Sequence, residues 1–148
     1  MISSLAISAA LRKRIADEAV KAFPGECCGL VEGTREFDNL RATAVHPTRN
    51  VAQTPDRFEI DPAEYIRLLR AAREKDRTII GCYHSHPNGK GEPSDADRAN
   101  ASDEDFLWII AAASADKKPK LSAFVYAAGT FASIHLVGRL ARAKAAKV

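Results

Sequence analysis

The sequence has little of the covalent and apolar material that marks secreted or membrane proteins. Its three cysteines, Cys27, Cys28 and Cys82, are an odd number with two adjacent, which excludes a regular disulfide framework. Its longest apolar stretches, such as residues 106–113, fall far short of the ~20 residues that a membrane helix needs. The first residues also lack the basic-then-apolar order of a secretory signal. These absences predict a soluble, cytoplasmic protein with reduced thiols.

A strong charge of one sign, internal repeats and low-complexity linkers are also lacking. With 148 residues, 46% hydrophobic and 28% charged, the composition is that of an ordinary globular domain and excludes collagen-like or disordered chains. The formal net charge of the chain is +3. The four basic residues of 139–148 contribute +4, so residues 1–138 have a net charge of −1. We therefore predict one domain over residues 1–138 and a basic tail over residues 139–148. The tail is either a solvated terminus or a handle for an acidic partner.

Apolar periodicity predicts a mixed α/β or α+β fold with two or three helices. Ser8 is expected to cap a first helix over residues 8–22, with Val20 on its apolar side. A second helix is expected after Asp61, which would cap it while Glu64 closes a capping box. The predicted strands cover residues 27–31, 40–45, 57–60, 78–83, 107–113, 121–126 and 130–137.

Residues with chemical potential concentrate in one short segment after the predicted strand 78–83. In a strand, residues i and i+2 share a face, so His84 and His86 can direct two imidazoles at one point while Ser85 faces away. A loop then leads to Ser94, which is placed to cap a helix, and Asp97 follows one turn later. A strand end and a helix start can thus present two histidines and a carboxylate around one ion.

Two histidines and one carboxylate form the protein ligand set of a catalytic zinc site, which leaves a position open for water or substrate. Zinc can lower the pKa of its water toward ~7 and can polarise a carbonyl. The Ser94 hydroxyl beside the metal can donate a hydrogen bond to a tetrahedral oxyanion. The general base would be a carboxylate from elsewhere in the chain.

Each half of this motif also has an ordinary structural explanation. His-x-His occurs by accident on strand ends, and Ser-x-x-Asp can be only a helix start, but the combination closed by a loop is far more specific. Cys82 shares the strand face of His84 and could be a fourth ligand, although a buried structural thiol is favoured. Trp108 is assigned to the core. His46 and His135 are interpreted as an ordinary loop and strand histidine.

The sequence resembles the JAMM/MPN-domain (Mov34/PAD-1) metalloproteases over about residues 5–137. The resemblance rests on three motifs. The first is His84-Ser85-His86-Pro87 with Ser94-x-x-Asp97, in which seven residues separate His86 from Ser94. The other two are Gly25-Glu26-Cys27-Cys28-Gly29-Leu30 and Arg57-Phe58-Glu59-Ile60-Asp61-Pro62. It implies that the zinc ligands are His84, His86 and Asp97. It also implies that Glu26 is the general acid/base and Ser94 the oxyanion stabiliser. The implied fold is a three-layer one around a curved mixed sheet with flanking helices, related to that of the cytidine deaminases.

The resemblance implies a zinc metallopeptidase that cleaves amide or isopeptide bonds after the carboxy-terminal Gly-Gly of a ubiquitin-like or sulfur carrier protein. We expect the Gly-Gly tail to lie along a sheet edge. The alternatives are a non-catalytic scaffold of the same fold and a RadC-like nucleic-acid-associated protein. The near-neutral body and the acidic run over residues 92–105 oppose nucleic-acid binding. The carrier, the leaving group and the formation of a homodimer are left open.

Overall fold

The computed structural model describes residues 1–54 and 56–138, which form three helices and seven strands. The helices are α1 Ala9–Ala22, α2 Pro62–Arg73 and α3 Asp95–Asn100. The strands are β1 Ser4–Ala6, β2 Cys28–Glu36, β3 Asn39–Thr48, β4 Thr78–His86, β5 Phe106–Ala112, β6 Lys120–Ala127 and β7 Thr130–Val137. Within these residues, no helix is long and apolar enough to cross a membrane. The predicted basic tail, residues 139–148, lies outside the described residues.

The strands form one mixed sheet in the order β1-β3-β2-β4-β5-β6-β7, and β1 closes it by pairing with both β3 and β7. The β2–β3 hairpin is antiparallel, whereas β4 and β5 are parallel neighbours. The mixed α/β fold is therefore confirmed. The sequence pattern missed β1, because three residues are too few to show an alternation. The relation to the cytidine deaminases stays a prediction.

α1 and α2 pack on opposite faces of the sheet. On one face, Ile15 of α1 packs in a cluster with Leu107 and Ile109 of β5. On the other face, Leu68 of α2 packs in a cluster with Trp108. Consecutive residues of β5 thus enter different clusters, as the period of two in a strand requires. The sheet lies between two helices, and each of its faces is covered by apolar side chains.

Three details of the predicted elements are wrong. Val20 is exposed, because the buried side of α1 follows the i, i+4 spacing through Ala19. Glu64 closes no capping box, since it pairs with Arg67 on the surface of α2. Residues 57–60 form no strand and make only an isolated bridge between Asn50 and Ile60. The last difference matters for the site described below, because this segment crosses it as a loop.

Candidate metal centre

β4 places two histidines at its carboxyl end, beside the start of α3. His84 and His86 project from the same face of β4, and Ser85 lies on the other, as predicted. The two Nε2 atoms are 2.9 Å apart. Both side chains are buried, that of His84 completely. β4 is paired on both sides, so its end is a rigid place from which to direct the imidazoles.

A capping box at the start of α3 fixes the carboxylate that faces the histidines. Ser94 Oγ accepts a hydrogen bond from the Asp97 N–H at 3.0 Å, and the Ser94 N–H donates to Asp97 Oδ2 at 2.9 Å. The same Oδ2 lies 3.2 Å from His84 Nε2 and 3.1 Å from His86 Nε2. The interpretation of Ser-x-x-Asp as a helix start is therefore confirmed, and the same cap orients the carboxylate toward the histidines.

Glu26 reaches the same place from the segment between α1 and β2. One of its carboxylate oxygens and one ring nitrogen each of His84 and His86 all lie within 4.8 Å of one another. Glu26 is half-buried, whereas Asp97 is buried. Among the described residues, Glu26, His84 and His86 thus form a group that could hold a metal ion, and Asp97 contacts both imidazoles of that group.

The two imidazoles are oriented in different ways. His86 Nδ1–H donates to the Lys90 carbonyl at 2.9 Å, which leaves the lone pair of Nε2 directed at Asp97 and His84. His84 Nδ1 is buried and has no hydrogen-bond partner among the described residues. Its ring instead stacks on Phe58, with centroids 4.1 Å apart and planes at 21°, and meets the edge of Trp108. Aromatic packing therefore fixes the orientation of the His84 ring, whereas the hydrogen bond to the Lys90 carbonyl fixes that of the His86 ring.

The electrostatics suit a cation between these groups. Burial lowers the pKa of His84, so its ring is neutral as a metal ligand must be. Burial opposes ionisation of His86 too, but hydrogen bonds to Asp97 and the Lys90 carbonyl raise its pKa. For Asp97, burial raises the pKa, but the close contacts with His84 and His86 outweigh burial and hold the pKa well below its usual range. Burial raises the pKa of Glu26 to about 7, with His86 lowering it and Asp97 raising it.

The donor set fits a divalent transition metal. His84 Nε2, His86 Nε2 and Asp97 Oδ2 form a triangle with sides of 2.9, 3.2 and 3.1 Å. Lone pairs that converge this closely need a proton or a cation between them. Ligand atoms on a tetrahedral zinc are separated by about 3.3 Å, given bonds of about 2.0–2.1 Å. Two imidazoles and a carboxylate are also the ligand types that zinc accepts.

A groove of about 600 Å³ opens beside this triangle. Glu26, His86 and Ser94 line its inner part. Residues from the 87–93 loop, the 51–60 loop and α3 complete the lining. Because Ser94 Oγ is used as an acceptor by Asp97, its hydroxyl proton is free to donate into the groove. The site therefore combines candidate metal ligands, a carboxylate and a hydroxyl around one space that a substrate could enter.

A family model described as prokaryotic homologs of the JAB domain matches residues 8–126, which include all of these side chains. The chain belongs to this family. The resemblance to the JAMM/MPN metalloproteases is thereby confirmed. The residues that carried the resemblance are also those that the fold brings together at the end of β4.

Two proteins of known activity and one solved structure are similar to this chain. A desampylase from Haloferax volcanii is 38% identical over 88 residues, which are 59% of this chain and 62% of the desampylase, less than two thirds of its length. A CysO-cysteine peptidase from Mycobacterium tuberculosis is 27% identical over 106 residues, 72% of this chain and 71% of the peptidase. The solution structure of a protein from Desulfitobacterium hafniense matches with a TM-score of 0.78 at 27% identity, over 93% of this chain and 92% of that one.

Two residues of this JAB domain contribute to the site although the sequence suggested no role for them. Phe58 lies in the segment predicted as a strand, and its stacking on His84 has no sequence signal. Asn50 organises that segment, because its Oδ1 accepts hydrogen bonds from the N–H groups of Ala52 and Glu59, each at 3.0 Å. Their roles arise from a loop that folds back over β4, which neither motif spacing nor periodicity reveals.

Other candidate residues stay outside the centre. Cys82 is buried in the apolar cluster with Trp108, and burial raises its pKa well above the usual value. Cys82 is not among Glu26, His84 and His86, the described residues that could together hold a metal ion, and it has no contact with Asp97 like those of the histidines. His46 is not a loop histidine, because it lies in β3 with Nε2 at 3.1 Å from Glu32 Oε1. The interpretation of Trp108 as a core residue is confirmed, although it also touches His84.

Proposed function

We propose that this JAB-domain protein is a cytoplasmic zinc metallopeptidase. It would hydrolyse the amide or isopeptide bond after the carboxy-terminal Gly-Gly of a ubiquitin-like or sulfur carrier protein. The observation that supports this most is the convergence of His84, His86 and Asp97 within 3.2 Å, beside a groove that also holds Glu26 and Ser94. A scaffold that only binds partners needs no buried cluster of acceptor atoms, and such a cluster is costly without a cation.

In this proposal His84, His86 and Asp97 hold the metal. When bound, zinc supplies Lewis acidity, which activates a water molecule for attack and polarises the scissile carbonyl. Burial keeps the His84 ring neutral. The hydrogen bond from His86 Nδ1–H to the Lys90 carbonyl fixes the tautomer in which Nε2 can bind the metal. The two histidines keep Asp97 ionised, and the α3 cap keeps it oriented. Three protein ligands leave a position for the reacting groups.

Glu26 is proposed as the general acid/base. Its carboxylate would take the proton of the attacking water and pass it to the leaving nitrogen. The side chain lines the groove, and one of its carboxylate oxygens lies within 4.8 Å of a ring nitrogen of each histidine, close to where the attacking water would bind. Its pKa of about 7 lies near the working pH, where proton transfer in both directions is efficient.

Ser94 is proposed as the oxyanion stabiliser. Its Oγ accepts the Asp97 N–H, so the hydroxyl proton is the part left to donate to a developing oxyanion. The capping box fixes the Ser94 main chain, so the donor does not need to be ordered during the reaction. Donors of this kind contribute about 2.7–4 kcal/mol to transition-state stabilisation.

The proposed substrate follows from the relatives and from the shape of the site. The similar proteins are named for activity on conjugates of small carrier proteins. β4 and β2 are paired on both sides by described strands, so neither offers the free sheet edge expected for the Gly-Gly tail. The tail would therefore lie in the groove between the 87–93 loop and α3. Glycine suits that place, because it lets the backbone approach closely.

The metal assignment is tested by elemental analysis of purified variants. The alanine variants of His84, His86 and Asp97 should each lose zinc, because each removes one of three protein ligands. Cys82→Ala should keep zinc, since its thiol is outside the centre. A normal zinc content in His86→Ala, or none in Cys82→Ala, would contradict the assignment.

The reaction is tested with a carrier ending in Gly-Gly-Cys and a second ending in Gly-Val-Cys, followed by mass spectrometry. The zinc-loaded protein should release cysteine from the first and leave the second intact. Glu26→Gln should keep zinc but slow cleavage by about 10²–10⁴-fold, the usual share of general acid/base catalysis. Glu74→Gln, which removes an exposed carboxylate far from the groove, should cleave like the wild type. Equal cleavage of both carriers, or an active Glu26→Gln, would refute the proposal.

A further inference from the structure

Ser85, between the two histidines, holds the main chain beside Glu26. The Cys27 N–H donates to Ser85 Oγ at 2.8 Å, and the Ser85 N–H donates to the Cys27 carbonyl at 3.1 Å. Ser85 is completely buried, and its side chain lies on the face of β4 opposite the histidines. Neither of these hydrogen bonds touches the metal centre itself.

The hydroxyl replaces an ordinary ladder hydrogen bond. The last regular pair between β2 and β4 is Cys28 with His84. A further antiparallel pair would exchange two main-chain hydrogen bonds between Cys27 and Ser85. Here the Cys27 N–H donates to the Ser85 hydroxyl instead of the Ser85 carbonyl. β2 therefore ends at Cys28, and the chain that precedes it leaves the sheet at Glu26.

We propose that Ser85 is a positioning residue for Glu26. The inference rests on the proposed function, in which Glu26 is the general acid/base. Ser85 joins two parts of the site directly, because its chain neighbours are His84 and His86 while its hydrogen-bond partner Cys27 is the chain neighbour of Glu26. The contact between Ser85 and Cys27 thus constrains the main chain at Glu26 relative to the two histidines.

A second, weaker contact supports the segment from the other side. Asn50 Nδ2 donates to the Glu26 carbonyl at 3.4 Å and to the Arg57 carbonyl at 2.9 Å. The shorter bond belongs to the loop, so Asn50 mainly organises residues 51–60. The 2.8 Å bond to the completely buried Ser85 is the stronger constraint on the chain at Glu26, because it is much shorter than the 3.4 Å bond from Asn50.

The test measures kcat, KM and bound zinc for Ser85→Ala in the full-length protein. We expect unchanged zinc and KM but a kcat lower by about 10–100-fold, since a displacement near 1 Å can cost about 10²-fold. Ser85→Thr keeps the hydroxyl and should recover most of kcat. Thr43→Val is the matched control, because it removes a hydroxyl bond to the Glu32 carbonyl elsewhere in the β2–β3 hairpin and should keep the wild-type kcat.

A double-mutant cycle separates positioning from a general structural effect. If Ser85 acts through Glu26, adding Ser85→Ala to Glu26→Gln should not lower the residual rate further. A wild-type kcat in Ser85→Ala, or a loss that multiplies with that of Glu26→Gln, would overturn the inference while leaving the proposed function intact. An active Glu26→Gln would overturn the proposed function itself. Should Ser85→Ala fail to fold, Ser85→Cys, which is similar in size but a weaker acceptor, replaces it and should show an intermediate kcat.

Discussion

Replacing Glu26 by glutamine should stabilise the metal-free protein at alkaline pH, although it should greatly slow the proposed hydrolysis. Burial raises the pKa of the Glu26 carboxyl from 4.5 to about 7. The folded state therefore binds this proton more tightly than the unfolded chain does. The resulting contribution to stability is complete below about pH 4.5 and is lost as the pH rises through about 7. Glutamine is neutral at every pH and undergoes no such loss.

The size of the effect follows from the pKa and the exposure of the side chain. A change from 4.5 to about 7 corresponds to about 3 kcal/mol, at about 1.36 kcal/mol for each tenfold change in proton affinity. Because Glu26 is only half-buried, solvent screening reduces the expected gain to about 1–2 kcal/mol. For a chain of 148 residues this is a rise in Tm of about 2–8 °C.

The measurement is thermal unfolding followed by circular dichroism in the presence of a chelator, at about pH 5 and about pH 8.5. The two proteins should differ little at the lower pH, and Glu26→Gln should melt higher at the upper pH. Added zinc should shrink the difference, because a nearby cation favours the ionised carboxylate. Exposed Glu74→Gln is the control and should melt like the wild type. A difference of the same size at both pH values would refute the reasoning.

Three further predictions concern the metal and the packing around it. Phe58→Leu removes the ring that stacks on the His84 imidazole and should weaken zinc binding by about 10–100-fold in a chelator competition. Phe37→Leu, which changes an exposed phenylalanine, should leave zinc binding unchanged. Gly29→Ala should destabilise the fold by about 1–3 kcal/mol in urea unfolding, because its Cβ would overlap the Tyr83 ring. In Gly138→Ala the added Cβ would meet no atom of residues 1–54 and 56–138, and this control should be neutral. Zinc at a free concentration of about 100 times its Kd should stabilise the wild type by about 2.7 kcal/mol, and no stabilisation would mean that the folded site binds no zinc.

The parts of the site that lie within one element could be predicted from the sequence. His84 and His86 share a face because residues i and i+2 do so in any strand. Ser94 and Asp97 meet because a cap and the third helical residue are always close. The buried side of α2 follows in the same way from its apolar spacing. These relations depend only on the geometry of a single strand or helix.

The family resemblance added Glu26, which no local pattern distinguishes from other carboxylates. Its approach to the histidines depends on the pairing of β2 with β4, which brings Cys27 to Ser85 across 58 positions of the chain. That pairing also shows why the residue between the histidines is a serine with a buried hydroxyl. The sequence motif alone placed Ser85 on the opposite face and suggested no partner for it.

Only the tertiary structure decided which residues surround the centre and how the sheet closes. Phe58 stacks on His84 because the loop before α2 folds over β4, although the composition of residues 57–60 resembles a strand. β1 closes the sheet through just three residues in contact with two distant strands. A helix or strand repeats its own geometry and so leaves a period in the sequence. Contacts between distant segments leave no such period, because they depend on how the whole chain packs.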